Sequence, residues 1–246
     1  MARDSRQPEF DISGAFADPY EVNFVLHIPD NLETDRVKLV PFVPAAHAAA
    51  FYEAAEPDIQ DLARYLPIPL SPYDTFVSFL EVLVRQDPTN LLFVILDKMG
   101  DSGDGSPPIA GIIGLLHTST LNLSTEIGPV VILPKYQRSH VSTHAIGILT
   151  RFCLNVPSEG GIGYRRVAWT ANPLNFASLR AAERMGFRQE GTIRWSWVLP
   201  AGKDGKPVDK PGRGEGKGRD SALFALCWDD WENGGREHVD KLIDRK

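Results

Sequence analysis

The chain has 246 residues, of which 43% are hydrophobic and 24% charged, with a net charge of −6. That length fits one large domain or two small ones, and the apolar share supports a sizeable core, which excludes a disordered chain. The mild acidity disfavours nucleic-acid binding through a broad basic face, and no apolar run is long enough to cross a bilayer.

Residues 1–33 are polar and carry Pro8, Gly14, Pro19 and Pro29. They read as an extension wrapping the domain, with Phe16, Tyr20, Phe24 and Leu26 available to dock. The first residues lack an apolar core, so they do not read as a secretory signal. A domain is expected over 34–232. It opens on a strand at 36–43, where Val37 and Leu39 alternate with Arg36 and Lys38 until Pro41 interrupts. An alanine-rich helix follows at 45–55, then an irregular connector at 57–72. A second amphipathic helix covers 73–85, with Phe76, Phe79, Leu80 and Leu83 on one face. Residues 91–96 form a buried strand, and the Asp/Gly/Ser/Pro run at 101–108 a hairpin turn. Strands at 109–117 and 125–133 come next, then a helix at 139–156. Beyond the glycines at 160–163 lie a strand at 166–170, a helix after Asn175, and a strand at 192–199. A glycine- and charge-rich stretch at 201–219 holds six Lys/Arg against three Asp/Glu and reads as a flexible insertion. A last strand at 222–228 and a C-terminal tail at 233–246 complete the chain. The order β-α-α-β-β-β-α-β-α-β-β makes a mixed α/β domain.

Two stretches carry chemistry. In the first, residues 125–145, a strand turns into a helix whose first-turn N–H groups lack intrahelical partners, which with the helix dipole makes an anion site. In the second, Asn175 can cap the following helix, and Phe176, Leu179, Ala182 and Met185 share its apolar face. Gly186 suits the left-handed position past its end, with Phe187 folding back. Read locally, this is a structural β–α–β unit or a site. His140 and His144 stand four apart on a helix, a spacing that can bind metal, but no third ligand is evident and no metal is expected. His144 reads as a helix-surface residue. Trp195 and Trp197 share a face by alternation, and core packing is favoured over stacking on a substrate. Cys153 and Cys227 sit in apolar patterns, as free thiols of a reducing compartment do, so a cytoplasmic location is expected.

The run Asn175-Phe176-Ala177-Ser178, a short helix and Gly186-Phe187-Arg188-Gln189-Glu190-Gly191 resembles the N-x-x-S and G-F-x-x-E-G signature of the GNAT acetyltransferases. Glu126, followed eleven residues later by Gln137, is similar to the family's strand and pyrophosphate loop. That loop is usually Q/R-x-x-G-x-G/A; here His140 and Ser142 stand at the glycine positions. The chain also resembles the RimJ/RimL-like subgroup, which carries Q-R-S/T in this loop, as in Gln137-Arg138-Ser139. It shares with that subgroup Leu32-Glu33-Thr34-Asp35-Arg36, Arg165-Arg166-Val167-Ala168-Trp169, Ala182-Glu183-Arg184 before Met185, and Gly218-Arg219-Asp220. The resemblance runs from about residue 32 to 231, and its C-terminal half is the specific part.

The resemblance implies a GNAT-like fold and an N-acetyltransferase taking acetyl-CoA as cosubstrate, by direct transfer. The acceptor is a small-molecule amine or a peptide N-terminus, with neither nucleic acid nor membrane as partner, and the chain a monomer or homodimer. Such transfer needs a base for the amine, a donor to the thioester oxygen and a proton for the leaving thiolate. Glu126 is implied as base and Ser178 as the thiolate's donor. The Val130 N–H is implied as oxyanion donor, with Val130 and Ile132 pairing with the pantetheine arm and Asn175 holding it. Gln137, Arg138, Ser139, His140, Val141 and Ser142 would surround the pyrophosphate, with the His140 side chain near it. The alternative is a non-catalytic acyl-CoA-binding or regulatory protein with a degenerate loop.

Overall fold

The computed structural model describes residues 13–245; residues 1–12 of the expected extension, with Pro8, lie outside them. The rest of that extension packs against the domain. Ala15 is fully buried, Phe24 and Ile28 lie on the core, and the Val25 N–H donates to the Pro88 carbonyl at 2.9 Å. Phe16 stays 47% exposed and does not dock.

The elements run β1 (Val37–Pro41), α1 (Pro44–Ala55), α2 (Ile59–Ala63), α3 (Tyr73–Phe79), β2 (Leu91–Asp97), β3 (Ile109–Ser119), β4 (Ser124–Ile132), α4 (Val141–Leu154), β5 (Arg166–Ala171), α5 (Phe176–Arg184), β6 (Arg188–Val198) and β7 (Gly218–Cys227), then α6 (Trp228–Asp230) and α7 (Arg236–Ile243). One seven-stranded mixed sheet has the order β1-β2-β3-β4-β5-β7-β6. The expected element order is present, with three additions. The connector at 57–72 contains α2, the helix after Pro72 passes at Leu80–Arg85 into a π-helical stretch, and two helices follow β7. No helix among the described residues is long and apolar enough to cross a membrane.

Consecutive residues 91–95 of β2 are all buried, so both faces of the sheet are covered there, as an unbroken apolar run requires. α4 contacts β1 through β5 and fills one face. Beside α1 and α3, Phe42 meets Phe51 and Phe76 edge-on, at centroid distances of 6.4 and 6.1 Å.

The only parallel pairing in the sheet is also its shortest. β4 and β5 are in register at Ser124↔Arg166, Thr125↔Val167 and Glu126↔Ala168, and there the pairing stops. β4 continues along β3 while β5 continues along β7, so the two strands diverge as a V with Glu126 at its vertex. A bulge at Gly128–Pro129 turns β4 away: Ile113 pairs with Val130 but Leu115 with Ile127, so β4 holds one extra residue. Gly114 permits this, because a Cβ there would lie 2.5 Å from the Gly128 carbonyl oxygen.

Several expectations are corrected. The stretch 201–219 is anchored to the domain, and its end is already strand β7. Lys203 Nζ donates to the carbonyls of Ala63, Leu66 and Ile68 at 2.6, 2.7 and 3.0 Å, and the backbones of Lys206 and Gly218 bond each other. The expected tail at 233–246 carries α7, whose Val239, Leu242 and Ile243 are buried. α7 sits so close to α4 that a Cβ on Gly147 would meet Ile243 Cδ1 at 2.6 Å. His144 is 1% exposed, not a surface residue, because α4 turns it toward Thr34. Phe176 is 59% exposed and lies off the apolar face that Ala182 and Met185 do bury. Trp195 and Trp197 are not core: they are 52% and 39% exposed. A register shift between Ile193 and Trp197, with Trp195 at φ 55°, breaks the alternation that would have paired them.

Candidate active site

The V opens into a cleft of about 1120 Å³. Glu126, Val130 and Ile132 line it from β4, and Trp169, Thr170 and Ala171 from β5. Gln137, Arg138, Ser139 and Ser142 line it from the turn into α4, and Asn175 and Ser178 from the start of α5. Of the residues expected to act in catalysis or to hold the cofactor, His140 and Val141 lie outside the lining.

The turn into α4 presents backbone to the cleft and sends most of its side chains elsewhere. Arg138 adopts a left-handed φ of 59°, which reverses the chain just before the helix. The Ser139 hydroxyl donates to the Tyr136 carbonyl at 2.6 Å and accepts from the Val141 N–H at 3.3 Å. Gln137 turns its amide back onto the Ile132 carbonyl at 3.1 Å, which occupies that acceptor of β4. Val141 is fully buried as a core residue. His140 does not reach the cleft: its Nε2 lies 3.0 Å from Asp97 Oδ1 at the end of β2, and its ring meets His144 edge-on. The expectation of a His140 side chain near a phosphate is therefore corrected, since the imidazole ties α4 to the sheet. Ser142 and Thr143 stand in the first turn, where no earlier helical carbonyl can receive their N–H groups. The cleft lining also carries the cationic side chains of Arg138, Arg180 and Arg184. Arg180 and Arg184 were missed from sequence, although their four-residue spacing on α5 puts them on one helix face.

At the other side of the helix pair, Asn175 caps α5 by accepting from the Ser178 N–H at 3.1 Å. Ser178 Oγ accepts from the Trp169 indole N–H at 3.0 Å. That bond uses an oxygen lone pair and leaves the hydroxyl proton able to turn into the cleft.

The vertex is a cluster of side chains. Thr170 Oγ1 donates to Glu126 Oε1 at 2.5 Å, and His117 Nδ1 lies 3.4 Å from Glu126 Oε2. The Glu126 side chain is 15% exposed and that of His117 63%. The bond to Glu126 raises the His117 pKa above its ordinary 6.5, as do the charges of Glu126 and Asp87, against partial burial. Arg219 of β7 is buried and held by the Tyr65 carbonyl and Ser221 Oγ, both at 3.2 Å. Burial lowers its pKa, and the charge of Glu126 works the other way. Asp58, Asp61, Tyr65 and Trp197 line the remaining wall.

Both cysteines stand apart from this lining. Cys153 is fully buried and its thiol is pushed far up by burial; Cys227 is half-buried with its thiol also raised by burial. Neither is available as a thiolate at neutral pH.

The family of the acetyltransferase (GNAT) domain matches residues 36–188. A GCN5-related N-acetyltransferase of Brucella melitensis superposes with a TM-score of 0.67 at 25% identity, over 85% of this chain and 84% of that one. The RimJ protein of Mycobacterium smegmatis, solved with CoA-disulfide, gives 0.59 at 20% identity, over 83% and 88%. The spermidine N-acetyltransferase of Vibrio cholerae, solved with CoA and spermine, gives 0.56 at 12% identity, over 81% and 100%. No match was found among curated proteins.

Proposed function

This chain belongs to the acetyltransferase (GNAT) domain family, and from that premise we propose that it moves an acetyl group from acetyl-CoA to an amine by direct transfer. The observation that carries the proposal is the V: β4 and β5 part at Glu126, and the divergence leads to the first turn of α4. An extended pantetheine arm can enter such a gap as an added strand, while the helix start takes a pyrophosphate.

The residues present fit acetyl-CoA without the usual glycines. Glycine in such a loop lets backbone approach phosphate; here the same clearance arises because the His140 side chain is drawn away to Asp97. The N–H groups of Ser142 and Thr143 would meet the anion, with Arg138, Arg180 and Arg184 supplying positive charge around it. Val130 would offer its N–H to the thioester oxygen. Asn175 fixes the helix start, and Ser178, held by Trp169, would give its hydroxyl hydrogen to the leaving thiolate. Glu126 forms the anionic end of the cleft, where an acceptor ammonium would dock and lose a proton. The carboxylates of Asp58 and Asp61, which line the same cleft, suit a cationic acceptor, either a small amine or a peptide N-terminus.

The test is release of free thiol from acetyl-CoA across a panel of small amines and short peptides. Acceptor-dependent release with an acetylated product supports the proposal. CoA binding by calorimetry with no release for any amine would sink it in favour of a non-catalytic acyl-CoA-binding protein.

A further inference from the structure

We infer that His117 is the group that takes the proton from the substrate ammonium, with Glu126 positioning its imidazole. The inference rests on the acetyl-transfer proposal above and adds the identity of the proton's first destination.

β3 and β4 pair Leu116 with Glu126 and Ser119 with Ser124, so β3 carries one extra residue between them. That residue sits beside the catalytic strand, and His117 has a left-handed φ of 52°. In a regular strand His117 would point to the face opposite Leu116 and Glu126, because successive side chains alternate. The bulge re-aims it, so that Leu116, His117 and Glu126 all line the cleft. Left-handed backbone is uncommon for any residue but glycine, though histidine tolerates it better than most, and here the surroundings hold it. The His117 N–H donates to Asn90 Oδ1 at 2.9 Å, and the Thr118 N–H to the Thr89 carbonyl at 3.0 Å. Thr118 Oγ1 and Thr125 Oγ1, 2.8 Å apart, pin the bulge to β4.

Glu126 is a poor direct acceptor for the substrate proton, since Thr170 holds Oε1 and the imidazole approaches Oε2. Paired with Nδ1–H, however, the carboxylate fixes the tautomer in which Nε2 carries a free lone pair, on a side chain that is 63% exposed. The charged groups facing His117 are Glu126 from β4 and Asp87 from the turn before β2, with Arg219 of β7 behind Glu126. The two nearer charges are negative and favour an imidazolium.

The protons balance. One ammonium N–H bond breaks and an Nε2–H bond forms, giving an imidazolium paired with Glu126. The freed amine lone pair attacks the thioester carbon. As the C–S bond breaks, the Ser178 hydroxyl gives its hydrogen to the departing sulfur and takes in exchange the second proton, from the tetrahedral nitrogen, so the serine ends unchanged. The imidazolium then returns its proton to water.

The variant is His117→Asn, because asparagine tolerates the left-handed backbone; unchanged CoA affinity by calorimetry shows that it is folded. With an amine of pKa about 10, wild-type kcat/KM should rise to a plateau once His117 is neutral. His117→Asn should lose on the order of 10²-fold at about pH 7.5 and climb with pH toward the acceptor's own pKa, without a plateau. Isotope-labelled histidine NMR of the CoA complex should show neutral His117 protonated at Nδ1, with a titration midpoint that falls in Glu126→Gln. A plateau retained in His117→Asn, an Nε2-protonated ring, or a midpoint unmoved by Glu126→Gln would overturn the inference while transfer itself persisted. No thiol release from wild type with any amine would bring down the transfer proposal and this role together.

Discussion

The two ends of the cleft are built from opposite materials. At the turn into α4 the cleft meets backbone: the side chains of Ser139, His140 and Val141 are bound to Tyr136, Asp97 and the core. At the vertex it meets side chains: Glu126, Thr170 and His117 converge, and the backbone around them is taken up by pairing and by a bulge. A broken motif therefore counts differently at the two ends. Where the work falls to backbone N–H groups, a side chain is free to vary if it has somewhere else to go, and His140 does. Where the work falls to side chains, a single atom exchanged is felt in the chemistry.

The sharpest way to break this contrast is at the vertex. Glu126→Gln keeps the shape of the side chain and removes its charge. Turnover at neutral pH should drop roughly 10²-fold or more, with CoA affinity by calorimetry nearly unchanged. Raising the pH should recover part of the loss, because more acceptor is then already neutral. An unchanged turnover with a genuine acceptor would remove Glu126 from the reaction. Ser178→Ala comes next, with an expected fall in turnover of roughly tenfold, about 1.4 kcal/mol in barrier. That loss should not recover at high pH, since thiolate departure gains nothing from a neutral acceptor. The freed Trp169 N–H should also appear as a small loss of thermal stability.

At the other end, His140→Gly should separate architecture from binding. CoA affinity should change by less than about tenfold, or about 1.4 kcal/mol, because the imidazole lies off the cleft. Stability in urea should fall by about 1 to 3 kcal/mol, since the variant leaves buried Asp97 short of a partner. If affinity collapsed while stability held, the imidazole would be the grip and the contrast between the two ends would be wrong.

What was legible in the sequence follows the range of each interaction. Asn175 capping Ser178 spans three residues, and the helix with its glycine stop is a local pattern, so both could be read directly. The strand holding Glu126 and the helix after Ser139 were legible for the same reason. His117 was not, because its contact with Glu126 depends on a bulge that periodicity cannot announce. The Lys203 ammonium was not either: its three carbonyl partners lie more than 130 positions away, and glycine-rich composition alone read as flexible. The turn of Gln137 onto its own strand, and of His140 away from the cleft, are choices of side-chain direction that a residue-by-residue motif does not carry.

The smallest expected effect lies behind the loop, in the residue that shares His140's helix face. His144 is buried, and its Nδ1 lies 2.8 Å from Thr34 Oγ1. That hydroxyl oxygen already accepts from the N–H groups of Arg36 and Val37, at 3.3 and 3.1 Å, and its hydrogen has two acceptors, the ring nitrogen at 2.8 Å and the Val37 carbonyl at 3.5 Å, of which the ring is the closer. A protonated Nδ1 would present a second hydrogen to the same contact. Burial lowers the His144 pKa below its ordinary 6.5, helped by His140, Arg36 and Arg151, with Asp35 opposing. The sign follows. Below pH 6.5 the unfolded chain takes up a proton that the folded one refuses, so stability falls as pH drops from 6.5 toward the lowered folded value. One proton limits that slope to about 1.4 kcal/mol per pH unit. His144→Gln keeps an oxygen for the Thr34 hydroxyl and cannot titrate. Urea unfolding between about pH 8 and pH 5 should show the wild type losing more stability than the variant. Parallel curves would mean that His144 is protonated in the folded state too, and that α4 is fastened to Thr34 by something other than a neutral ring.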